Sequence, residues 1–267
     1  MSQRKGKYPP WHPQAMATEF SEDFPGAIRG LWKKRKVRSN PRSSTGQVPI
    51  YREGISVQFE SGLERDLIER FDFDSGCTRI RTQGFYLEYE YEGKVHRYTP
   101  DVELLCDLNR VEGFEFSHSS VLIEVKYQSD LQKSWSDFAP RFHAATTWCR
   151  WNARQFMVLT ELDIRTPLLQ TAKALRRYLA WPADPWFESL VRRHLSHLKK
   201  PTLGGLIDSI QERYDHIARA DVVDIVYAML AQEIIGFERE EVLKLDTKVW
   251  LMASDVADKE PPAVDFE

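Results

Sequence analysis

From Gly84 to Glu92 apolar and polar positions alternate without a break. Phe85, Leu87, Tyr89 and Tyr91 fall on one side, and Tyr86, Glu88, Glu90 and Glu92 on the other. A period of two predicts a half-exposed strand. Glu92-Gly93-Lys94 reads as the turn after it, and residues 95–108 as a returning strand that carries Asp101. Residues 109–120 are polar and read as a loop. Val121-Leu122-Ile123-Glu124-Val125-Lys126-Tyr127 follows, a β-branched apolar run that predicts a buried strand with two charges near its end. Upstream, Ser61-Gly62-Leu63-Glu64 opens a helix to about Phe71, with Leu63, Leu67, Ile68 and Phe71 on one face. Downstream, residues 131–152 read as helical, kinked or divided at Pro140, and residues 154–160 as a fourth, buried strand. The predicted order is helix, three strands, helix, strand.

Beyond Ile164 the pattern turns helical. Candidate helices cover 167–180, 185–198, 203–214 and 220–235, and residues 242–251 alternate weakly, as in a small hairpin. Three helices before a short sheet suggest a winged helix. The expected organisation is a basic arm (1–50), an α/β domain (51–165), a helical, winged-helix-like partner-binding domain (166–253) and an acidic tail (254–267). No internal repeat is evident.

Composition narrows the classes. A hydrophobic content of 42% and eight Trp support a packed core, and the net charge of −3 argues against a uniformly basic nucleic-acid binder. The charge is uneven, however: residues 1–45 hold ten Lys or Arg against three Asp or Glu. Lys33, Lys34, Arg35, Lys36, Arg38 and Arg42 form a segment that reads equally as a phosphate-neutralising arm or a solvated tail. The cysteines Cys77, Cys106 and Cys149 are widely spaced, which suggests neither a zinc site nor a disulfide framework. No apolar run approaches a membrane span and no signal-peptide core is present, so a cytoplasmic protein without a membrane partner is expected.

The charged strand end supplies the chemistry. Side chains alternate along a strand, so Glu124 and Lys126 share a face while Val125 points into the core. Charges in that setting are costly unless something uses them. Pro100-Asp101 followed by Glu124-x-Lys126 is the layout of the PD-(D/E)xK nuclease site. Mg²⁺ is bound through one or two carboxylates plus substrate phosphate. Asp101 and Glu124 could supply these, with the carbonyl of Val125 as a third ligand and Mn²⁺ as a substitute metal. Lys126 could orient or deprotonate the attacking water and offset charge on the phosphorane. Glu64 could support a second metal or a bound water, although its spacing from Ser61 also fits a capping box. The bland alternative is an Asp101 turn cap with a Glu124–Lys126 surface ion pair. His194 and His197 fit a solvated helical face better than a metal site, and His143 and Cys149 lack a third partner. Arg141 fits a surface role, and Trp148, Trp151, Trp181 and Trp186 fit packing anchors.

Over residues 35–178 the chain resembles TnsA, the endonuclease subunit of bacterial heteromeric transposases. The resemblance rests on the basic approach at 36–46, Phe59-Glu60-Ser61-Gly62-Leu63-Glu64-Arg65-Asp66 and Phe71-Asp72-Phe73-Asp74. It continues through Tyr98-Thr99-Pro100-Asp101, residues 122–127 and Thr160-Glu161-Leu162-Asp163-Ile164-Arg165-Thr166-Pro167. It implies a restriction-endonuclease-like core with Glu64, Asp101, Glu124 and Lys126 as catalytic residues. Some members carry Gln where this chain has Glu124. The family implies cleavage at the 5′ ends of a transposon, beside a TnsB-like DDE transposase that cuts and joins the 3′ ends. It also implies a TnsC-like AAA+ ATPase regulator as partner. Two other readings stay open: a stand-alone restriction or repair nuclease, and a catalytically silent adaptor between transposase and ATPase. Intact Asp101, Glu124 and Lys126 argue against the adaptor.

Overall fold

Every residue of the strand Ser120–Val125 is buried. In the computed structural model, which describes residues 8–32, 45–111, 114–182 and 184–252, this strand lies inside a sheet covered on both faces. A strand buried on both faces favours a continuous apolar run over alternation. The chain forms two compact units, Met1–Arg176 and Arg177–Glu267.

In chain order the first unit contains α1 (Pro13–Glu19), β1 (Ile28–Trp32), β2 (Gly46–Ile50), β3 (Ile55–Phe59), α2 (Gly62–Phe73) and β4 (Cys77–Thr82). Next come β5 (Phe85–Tyr91), β6 (Lys94–Tyr98), β7 (Val102–Cys106), β8 (Ser120–Val125), α3 (Gln128–Trp151), β9 (Gln155–Leu159), α4 (Glu161–Ile164) and α5 (Pro167–Leu175). The central sheet runs β4-β7-β8-β9. Its first two pairings are antiparallel and β8–β9 is parallel, with α3 making the crossover. β1, β5 and β6 form a second, antiparallel sheet, and β2 and β3 a hairpin.

Alternation along β8 feeds two cores. Val121, Ile123 and Val125 pack with Leu63, Leu67, Ile68 and Phe71 of α2 and with Val48 and Ile50 of β2. Leu122 packs on the opposite side with Leu87, Tyr98, Phe142 and Phe156. α2 starts where its sequence signals place it, with Ser61 Oγ accepting the Glu64 N–H. β5 has the alternating burial its pattern predicts. It turns into β6 through Glu92 and Gly93, both at positive φ (51° and 70°), a two-residue turn that suits glycine.

Four features differ from the sequence reading. The return strand expected over 95–108 is two strands in two sheets, β6 pairing with β5 and β7 with β4 and β8. Pro100 lies at the break, because proline has no N–H for a ladder and holds its predecessor extended. α3 is interrupted at Ser134 (φ −129°, ψ 29°) rather than at Pro140, which sits inside the helix. A serine side chain competes for backbone hydrogen bonds, which lowers the cost of such a break. β4 precedes the alternating strand. Finally, α1, β1 and β2 lie within residues 1–50, the stretch expected as a basic arm. Met16, Phe20 and Phe24 from that stretch are buried in the same core as Leu122 and Phe142.

The second unit holds α6 (Pro185–Leu198), α7 (Leu203–Arg213) and α8 (Arg219–Ala231), then the antiparallel pair β10 (Ile235–Phe237) and β11 (Val249–Leu251). Asp184 and Thr202 cap α6 and α7 through backbone N–H groups. The hairpin therefore begins before the 242–251 segment read from sequence and ends within it. Trp148 is a packing anchor, whereas Trp151, Trp181 and Trp186 are exposed. No helix among the described residues is long and apolar enough to cross a membrane.

Gly30 shows how tightly β1 is built into the first unit: a Cβ there would lie 2.5 Å from the Trp148 ring. The ring is walled in by Phe85 at 4.5 Å between centroids, so it has little room to retreat. Gly30→Ala should destabilise the protein by about 1–3 kcal/mol, as read from denaturant unfolding. A wild-type midpoint would contradict this packing.

Candidate active site

The carboxyl end of β8 is where the elements bring their charged residues together. Val102 pairs with Ile123 in the β7–β8 ladder, and continuing that register by one residue sets Asp101 beside Glu124. The backbone confirms the approach, since Asp101 Oδ2 accepts the Val125 N–H at 2.7 Å. Lys126 stays in line because its own N–H continues the ladder to the Leu159 carbonyl at 3.1 Å.

Three oxygen atoms then converge on one ammonium. Lys126 Nζ lies 2.7 Å from Glu124 Oε1, 3.0 Å from the carbonyl oxygen of Val125 and 3.7 Å from Asp101 Oδ2. The other oxygen of Glu124, Oε2, accepts a hydrogen bond from the Tyr98 hydroxyl at 2.8 Å. Glu64 enters from the first turn of α2. Its Oε2 accepts the Glu60 N–H at 2.8 Å, one residue before the cap, so the Ser61–Glu64 capping box is made on its Ser61 side only.

The electrostatics are those of crowded like charges. Asp101 keeps 20% of its side-chain surface open, yet the protein packed around its carboxyl desolvates it. That desolvation, and next the charge of Glu124, push its pKa well above the ordinary carboxylate value, with Lys126 pulling the other way. Burial likewise raises Glu64, against the hydrogen bond from Glu60. Burial alone would lower Lys126, but Asp101 and Glu124 outweigh it and raise the pKa, which holds the side chain as ammonium. Burial, then the charges of Glu124 and Asp101, push the Tyr98 phenol well above its usual range, so it remains a donor.

This donor set suits a hard cation. Among the described residues no group of three or more His, Cys, Asp or Glu forms a metal cluster by itself. What is present is two carboxylates and a carbonyl, already gathered about a positive charge. Mg²⁺ takes few protein ligands of this kind and keeps several waters. The residues fit such an ion, which would replace the ammonium at the shared oxygens.

The other candidates fall elsewhere or outside the described residues. Lys33, Lys34, Arg35, Lys36, Arg38 and Arg42 lie outside the described residues. His194 bonds Ser209 at 3.1 Å, and His143 bonds the Glu22 carbonyl at 2.9 Å. Arg141 donates to the Asp137 carbonyl and covers the Phe138 ring. Cys149 is buried, and burial pushes its thiol up to about 12. Sequence reasoning gave Tyr98 no role. Its one sequence signal is its place directly before Thr99-Pro100-Asp101.

Compared with known families, residues 74–161 match the family described as TnsA-like endonuclease N terminal. The matched span holds Asp101, Glu124, Val125 and Lys126, and leaves Glu64 and the basic segment outside it. A comparison with curated proteins gave no match.

The charge crowding has a consequence for stability. With its pKa raised on folding, Asp101 is protonated to higher pH in the folded chain than in the unfolded one. Its ionisation therefore costs stability as the pH climbs above the ordinary carboxylate value. Asp101→Asn removes that cost and keeps an oxygen for the Val125 N–H. In metal-free buffer the variant should be more stable than wild type by on the order of 1 kcal/mol at pH 8, with the gap closing toward pH 4. Denaturant unfolding across that range checks it, and a gap independent of pH would contradict the charge balance described.

Proposed function

We propose that this chain, which carries a TnsA-like endonuclease N-terminal domain at residues 74–161, is the metal-dependent DNA endonuclease subunit of a heteromeric transposase. Its reaction is phosphodiester hydrolysis at the 5′ ends of a transposon, for cut-and-paste excision with a TnsB-like DDE transposase. The observation that carries this reading is the convergence of Asp101, Glu124 and the Val125 carbonyl on a single cation, the Lys126 ammonium. The arrangement of β4, β7, β8 and β9 between α2 and α3 supports a restriction-endonuclease-like core. The order of α6, α7, α8 and the β10–β11 hairpin supports a winged-helix reading of the second unit, the candidate contact for a TnsC-like AAA+ regulator.

In this reading Asp101, Glu124 and the Val125 carbonyl hold Mg²⁺ or Mn²⁺. The bound ion supplies Lewis-acid charge at the scissile phosphate and a more acidic water. The rest falls to the chain. Asp101, part-open to solvent, lies on the side a phosphate can reach. With the shared oxygens on the ion, Lys126 would be available to the scissile phosphate. Its role is to donate to the phosphorane oxygens or to orient or deprotonate the attacking water. Glu64, buried beside the cluster, supports a second metal or orients a water. The basic side chains at 33–42 neutralise flanking phosphates.

Asp101→Ala should abolish 5′-strand cleavage in a reaction reconstituted with transposase and end DNA. Thermal unfolding and partner binding should persist, and unchanged cleavage would overturn the site. Lys126→Met separates binding from chemistry. Titrated with Mn²⁺, it should bind at least as tightly as wild type, because the ammonium no longer competes for the three oxygens. Its cleavage rate should fall by about 10²–10⁴. Loss of Mn²⁺ binding in Lys126→Met would contradict these roles. Robust cleavage by the chain without any partner would instead favour a stand-alone nuclease.

A further inference from the structure

Tyr98 sits in one sheet and its hydroxyl reaches into another. It ends β6, paired with Leu87 of β5, and its hydroxyl meets Glu124 on β8 at 2.8 Å. The ring is 5% exposed and is held edge-on by Phe142 and Phe156, with centroids 6.2 and 6.3 Å away. A ring so fixed presents its hydroxyl in one place. Glu124 is equally confined at 3% exposure, and its two oxygens face different partners. Oε2 faces Tyr98, and Oε1 faces the charge of Lys126.

A carboxylate with one oxygen bound to a fixed neutral donor offers the other oxygen alone to a cation. That suits an ion needing near-ideal octahedral geometry at about 2.0–2.1 Å, and suits less well an ion at about 2.3–2.6 Å that takes six to eight ligands and accepts both oxygens of a carboxylate. We propose that Tyr98 is a positioning residue that makes Glu124 a one-oxygen ligand and thereby favours Mg²⁺-like over Ca²⁺-like cations. This rests on the reading of Asp101 and Glu124 as metal ligands.

The test is calorimetric titration of the full chain with Mn²⁺ and, separately, Ca²⁺. In Tyr98→Phe, which keeps the ring and loses the donor, Mn²⁺ affinity should fall about tenfold. Ca²⁺ affinity should fall less or rise, because Oε2 becomes available, so the preference for Mn²⁺ narrows. A preference equal to wild type, whether both affinities hold or both fall by the same factor, overturns the proposal. Phe71→Leu loosens the packing of α2 in the other core, away from Tyr98 and the rings that hold it. It should lower the unfolding temperature and leave the preference unchanged, and an equal narrowing there also counts against Tyr98. If Tyr98→Phe does not fold, a ring-fluorinated tyrosine at 98 keeps the shape and strengthens the donor. It should widen the preference, and no change would overturn the proposal. Mn²⁺ binding by the Asp101→Ala/Glu124→Ala double variant as tight as wild type would overturn the ligand reading itself, and this proposal with it.

Discussion

One ammonium offsets two carboxylates at the end of β8, and the geometry of the first unit depends on that balance. Glu124 is almost wholly buried and Asp101 is desolvated by its neighbours. Carboxylates that close repel each other, and the repulsion is strong where water is scarce. Lys126 supplies the compensating charge, and the Val125 N–H and the Tyr98 hydroxyl supply the hydrogen bonds. With any of these removed, a buried charge is left short of partners, which is the costly case. The cluster is thus a charge-crowded site held in place by the surrounding fold, the usual setting for groups tuned to a reaction.

The rigidity that makes this tolerable comes from burial on both faces of the central sheet. β8 cannot shift by one residue without moving Val121, Ile123 and Val125 out of the α2 core and Glu124 into it. Its pairing with β9 continues through the Lys126 N–H, so the lysine stem starts from a fixed point. α2 is tied to the same core by Leu63, Leu67, Ile68 and Phe71, and this brings Glu64 beside the cluster. The packing that stabilises the domain therefore also positions the charges.

The break at Thr99-Pro100 joins two sheets by a short covalent link. It ends the β5–β6 pairing and leads into the β7–β8 pairing, so Tyr98, at the end of one sheet, and Asp101, just before a strand of the other, approach the same glutamate. This connects the antiparallel sheet, and through it β1 and the aromatic residues around Trp148, to the acidic cluster. The second unit has its own core, around Leu190, Leu195, Leu206, Ile207, Val226 and Leu230, as expected of a separately packed module.

Much of this could be read from the chain. The apolar run of β8, the alternation of β5, the Ser61 cap and one-faced apolar pattern of α2, and the limits of α6 all reflect local rules of side-chain direction and backbone preference. Asp101, Glu124 and Lys126 were legible for the same reason, since their order and spacing survive as text. α1, β1 and β2 were not, because their five- to seven-residue segments are short and mixed in polarity, and partners far along the chain decide their burial. Gly30 has meaning only against Trp148, and Tyr98 only against Glu124. The split of the 95–108 strand had its cause, Pro100, in plain view, but which sheet each half joins follows from long-range pairing. Sequence determined which chemical groups are available and which strand face each occupies. Tertiary structure alone decided their distances and charge states, because those depend on desolvation and on neighbours brought together only when the two cores close around β8.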